Sequence, residues 1–203
     1  MFIELAEFLR CPHCNDDKQP CVLVPEEMVG RRVAQGSIGC PVCKNVYPIR
    51  DGVALLDLQV SDPPLPASGR AEPVAPPGPS VVQALLGLAS PGGYVVLVGE
   101  AARVARGLAR LLDGVHFVGI NAPPDVEPSP VLSLLRGWEA IPLTSSMARG
   151  VVLDHEHGRA PWLSEAARLV LRGLRVVVFG EGATVPGVEQ LASGGGLWVG
   201  QKR

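Results

Sequence analysis

From Tyr94 onward the chain alternates short, continuously apolar runs with segments whose apolar residues recur every three or four positions. The runs YVVLV (94–98), VHFVGI (115–120), GVVLD (150–154), RVVVF (175–179) and the closing GLWVGQKR (196–203) read as strands, with EAIPL (139–143) a weaker third in order. Between them lie three helical patterns. The first starts at Ser80, a capping residue, and runs to about Ala89, where Pro91–Gly93 stops it. The second runs from about Ala101 to Leu112 and ends near Gly114, and the third is WLSEAARLVLRGL, with Ser164 near its start. Strands without polar alternation, spaced by amphipathic helices, predict a mostly parallel sheet covered on both faces, a doubly wound α/β fold.

The pattern breaks before this region. Residues 61–79 hold seven prolines and few residues able to form a core, so they predict an extended, semi-rigid connector between a module of residues 1–60 and a domain of residues 80–203. The formal net charge of −2 gives no general reason to expect a nucleic-acid or membrane partner. The opening MFIELAEFLR lacks the layout of a secretory signal, and no apolar run approaches the ~20 residues of a membrane helix. The expectation is a cytoplasmic protein, whose cysteines are then not paired as disulfides.

Four of the five cysteines fall in two close pairs, CPHC (Cys11, Cys14) and CPVC (Cys40, Cys43). Two residues between cysteines let a tight turn aim both sulfurs at one ion, and two such turns complete a tetrahedral thiolate shell for Zn2+. A redox pair is the competing reading, but it needs only one such motif. His13 lies inside the first turn and is expected in solvent; Cys21, at the head of CVLV, is expected as a small core residue. A full thiolate shell leaves no open position for catalysis, so the site is structural. Asp51-Gly52, between VYPI and VALL, predicts a hairpin turn.

With these residues in place, CPHC…GCPVCKNVYPIRDGVALL resembles the zinc-ribbon family typified by the activator subunit of tRNA methyltransferases, over nearly all of residues 1–58. The resemblance implies a non-catalytic module that supports methyltransferases acting on tRNA, rRNA and release factors. The larger domain resembles the Rossmann-like fold of S-adenosylmethionine-dependent methyltransferases through FVGINA, GVVLDHEH and WLSEAARLVLRGLRVVVFGEG. That likeness would place the cofactor at Gly99, Glu100 and Asn121. Yet Glu100, Ala101, Ala102 and Arg103 stand where further glycines are expected, and their Cβ atoms narrow the groove. Glu100 favours a helix start but repels a carboxylate. Asn121 stands where an acid would hold ribose hydroxyls; Asp125 is a substitute restricted by Pro123 and Pro124.

DHEHG follows the fourth strand, at the edge where open α/β sheets collect catalytic groups. Asp154 with His155 or His157 is a candidate acid–base pair, the two histidines are candidates for a second metal site, and the alternative is a polar loop in water. Arg103, Arg106 and Arg110 share one helical face, either an RNA-contacting stripe or a solvated surface. Two functions follow. The first is a zinc-binding scaffold or methyltransferase partner with a degenerate cofactor pocket, its ribbon docked on its own second domain or on a separate enzyme. The second is an active S-adenosylmethionine-dependent methyltransferase, acting on a translation component or small molecule.

Overall fold

The computed structural model describes residues 1–17, 19–57, 76–137 and 140–203. Most of the proline-rich stretch lies outside the described residues; its last proline, Pro79, is the first residue of helix α1 (Pro79–Leu86), where a missing N–H costs nothing. The cysteine-bearing module supplies β1 (Val22–Val29), β2 (Arg32–Gly39), β3 (Val46–Arg50) and β4 (Val53–Leu55). The larger half supplies β5 (Tyr94–Val98), β6 (His116–Ile120), β7 (Leu132–Arg136), β8 (Ala148–Leu153), β9 (Val170–Phe179), β10 (Val188–Gly194) and β11 (Leu197–Lys202).

All these strands form one sheet in the order β1-β2-β3-β4-β7-β6-β5-β8-β9-β11-β10. Strands β7, β6, β5, β8 and β9 are mutually parallel, and β11 closes that set antiparallel to β9. Chain order reverses between β5 and β8, which makes the carboxyl ends of those two strands the switch point of a doubly wound fold.

One sheet face carries Val95, Leu97, Phe117, Val152 and Val177 under α1, α2 (Ala105–Leu108) and a 3₁₀ segment, Gly99–Val104. The other carries Val96, Val98, Val118, Ile120, Val151 and Val176 under α3 (Trp162–Leu169). No helix occurs among the described residues between β6 and β7 or between β7 and β8. That second face is shared instead with Leu5, Leu9, Ile38, Tyr47 and Ile49 of the ribbon module, in one buried cluster.

The sheet itself crosses between the two halves. β4 pairs in parallel with β7, matching Val53 to Leu134 and Leu55 to Arg136, and Leu56 N–H donates to the Arg136 carbonyl at 2.9 Å. Around this seam Phe2 N–H donates to Ser133 Oγ at 2.8 Å, Phe2 stacks on His116 at 4.5 Å, and Arg10 and Thr144 form backbone bonds to Pro142 and Phe8. Arg10, Glu165, Arg168 and Asp17 join module to α3 in a charge-balanced network that runs from buried Arg10 to exposed Asp17.

Several elements differ from expectation. The third strand is LSLLR; of the expected EAIPL, Glu139 lies outside the described residues, Pro142 removes a ladder donor, and Leu143 makes an isolated bridge to Leu9. The last helix stops at Leu169, because β-branched Val170 pairs with Ala148 and begins β9. The helix after β5 is mostly 3₁₀, with only Ala105–Leu108 α-helical. Strand β10 carries no apolar period and was not expected.

Candidate functional site

Both CxxC turns have the same construction. Asn15 N–H returns to the Cys11 carbonyl at 2.8 Å and Lys44 N–H to the Cys40 carbonyl at 3.0 Å, and each turn closes on a left-handed residue, Asn15 at φ 54° and Lys44 at φ 63°. The turns face one another. Cys11 and Cys43 sulfurs lie 3.6 Å apart, Cys14 and Cys40 sulfurs 3.7 Å apart, and all four lie within 4.8 Å of each other. A tetrahedron with metal–sulfur bonds of ~2.3 Å has edges of about 3.8 Å, so the sulfurs fit a zinc-sized ion. Burial alone would raise the Cys40 thiol, but N–H groups of Cys43 and Val42 aimed at its sulfur bring it down to about 7, whereas burial and the neighbouring sulfurs push Cys14 up to about 12. Cys21 is buried, lies outside this group, and is pushed up to about 12, chiefly by burial. His13 is exposed.

The second candidate region is the switch point. Gly99 turns the chain out of β5 at φ +63°, and a Cβ there would collide with the Asp154 carboxylate from the end of β8. Asp154 Oδ2 accepts the Glu100 amide at 2.8 Å, and Oδ1 accepts His157 N–H at 2.9 Å and contacts His157 Nδ1 at 2.6 Å. The loop amide that would face a ligand is therefore already bonded to protein. Burial raises the Asp154 carboxyl, but the bonds from His157 and the two amides outweigh it and hold the acid below its ordinary value.

Asn121 does not face the crevice alone. Its side-chain NH₂ donates to the Gly137 carbonyl at 2.8 Å and its Oδ1 accepts Gly137 N–H at 3.0 Å. Glu100 is bonded to Arg103 at 2.5 Å, and Arg103 also holds Asp125 through two bonds. Glu100 and Asn121, two of the three residues expected at the cofactor, are thus paired within the protein.

Of the DHEHG candidates, Asp154 and His157 come together and His155 stays exposed. His157 packs edge-on against Trp162 at 4.7 Å. Among the described residues, the four cysteines are the one group of three or more ligand-type side chains close enough for an ion, and His155 and His157 are not part of it. Arg103, first of the arginine stripe, is taken by Glu100 and Asp125, and a 3₁₀ turn at its start interrupts the helical face. No helix among the described residues is long and apolar enough to cross a membrane.

His116 and Ser133 carried no sequence signal. They lie under Phe2, where Ser133 Oγ accepts Phe2 N–H and stands 2.9 Å from His116 Nε2. Burial, and then the nearby amino terminus, push His116 down to about 4, so its ring is neutral.

These features define a four-cysteine ribbon joined strand-to-strand to a doubly wound, Rossmann-like domain. Residues 3–52 match the family of Trm112p-like proteins. Among solved structures, a chain of the complex between the Haloferax volcanii Trm112 methyltransferase activator and a methyltransferase is similar at 20% identity and TM-score 0.40, covering 49% of this chain and 50% of that one. The antibiotic-resistance methyltransferase Kmr is similar at 15% identity and TM-score 0.44, covering 61% and 91%. A methyltransferase from an antibiotic biosynthesis pathway of Anabaena variabilis is similar at 18% identity and TM-score 0.39, covering 49% and 43%. The chain thus spans half or less of the length of the first of these structures it matches. No curated protein matches it significantly.

Proposed function

We propose that the chain is a zinc-binding, non-catalytic scaffold in which residues 1–60 and 80–203, joined through 61–79, act as one unit. Cys11, Cys14, Cys40 and Cys43 hold the zinc, which supplies the stability a ribbon of this size lacks. The ribbon serves its own second domain in cis. Its strand β4 is already paired with β7 and its apolar face lies in the shared core, so that surface is not free for a separate methyltransferase.

The observation that carries the non-catalytic reading is the Asp154 carboxylate at the switch point. It bonds the Glu100 amide and abuts Gly99, where S-adenosylmethionine would have to seat. Thermal melting of the zinc-loaded chain tests this reading. A ligand present at about 100 times its Kd stabilises by ~2.7 kcal/mol. S-adenosylmethionine and S-adenosylhomocysteine at about 1 mM are expected to leave the midpoint unmoved, whereas a rise of several degrees refutes the scaffold. One observation favours an enzyme: His157, oriented by buried Asp154, has the form of a general base.

A further inference from the structure

The hydroxyl of Tyr47 is buried in the core beside the cysteine cluster and lies 3.2 Å from Cys11 Sγ. A metal-bound cysteine is a thiolate and has no proton to give, so in the loaded centre this contact has one polarity: Tyr47 O–H donates and the sulfur accepts. Asn45, two residues before Tyr47, interacts through its side chain with the Tyr47 hydroxyl. Tyr47 therefore links the sulfur to Asn45 on one side and, through its ring, to the apolar cluster shared by both halves on the other. An ion with four thiolates carries a net charge of −2, and in a partly dry site each donor to sulfur offsets part of that charge.

We propose that Tyr47 is a positioning residue of the metal centre, its hydroxyl fixing Cys11 and withdrawing charge from that sulfur. The proposal rests on the zinc reading above. Its test uses the full chain loaded with Co2+ in place of zinc, because the sulfur-to-cobalt charge-transfer band reports sulfur electron density directly. Tyr47→Phe keeps the ring and removes the donor. It is expected to shift the band to lower energy and to weaken metal binding about tenfold in competition with a chelator. Ile49→Val, which trims the same core without touching sulfur, is expected to leave the band where it is. Should Tyr47→Phe fail to fold, Asn45→Ala leaves the tyrosine in place and is expected to give a smaller shift in the same direction. A band unmoved in the folded variant overturns the role of Tyr47. A wild-type chain that takes up neither Co2+ nor zinc overturns the metal centre itself.

Discussion

Asp154 is nearly inaccessible to solvent, yet its charge is stabilised because three N–H groups, from Glu100 and His157, converge on it. Asp154→Asn keeps the shape but sets an amide NH₂ among those donors. It is expected to cost about 2 to 3 kcal/mol of stability, read from the urea midpoint. His116 supplies a second test at this scale. Its pKa is 6.5 in the unfolded chain and about 4 when buried, so over that window the unfolded state binds more protons. Stability therefore falls as pH drops from about 6.5 to about 4. A proton-resonance titration should show one histidine titrating near 4; a midpoint near 6.5 contradicts the buried, neutral ring. No sequence reading found this residue, because its environment is made by Phe2 and Ser133, far from it along the chain.

At the scale of elements, the hairpin joining β3 to β4 leads the ribbon into the strand that pairs with β7. Asp51 and Gly52 take φ 50° and 79°, and Gly52 sits against Pro128 and the amino terminus. Gly52→Ala forces a Cβ into the left-handed region and is expected to destabilise the chain by about 1 to 2 kcal/mol. The Asp-Gly pair made this turn legible, as the CxxC spacing made the cysteine cluster legible, because both signals are local. The strands β5, β6, β8 and β11 were legible from their apolar stretches, although β8 opens on Ala148-Arg149 and β11 ends on Gln201-Lys202. What local pattern did not reveal was set by tertiary pairing: Ser133 in β7 breaks an apolar run but is satisfied by Phe2 and His116, and Val170 leaves its helix to pair with Ala148. The expectation that bulk after Gly99 closes the crevice awaits a ligand-binding test; the contact that local pattern did not reveal is Asp154, from another strand, which abuts Gly99 and accepts the Glu100 amide.

At the scale of the whole molecule, a single sheet and a buried cluster common to both halves predict that metal binding at the four cysteines and the α/β fold depend on one another. Chelation of the metal is expected to lower one cooperative melting transition and to change the fluorescence of Trp162 and Trp198, both in the larger half. Two separate transitions, with those tryptophans insensitive to the chelator, contradict a shared core. The central claim is that the switch point is occupied by the protein's own side chains. Isothermal titration of S-adenosylmethionine into the metal-loaded full chain tests it most directly. The account predicts no saturable heat up to about 1 mM ligand, a limit of roughly −4 kcal/mol in binding free energy. One-to-one binding in the micromolar range contradicts it.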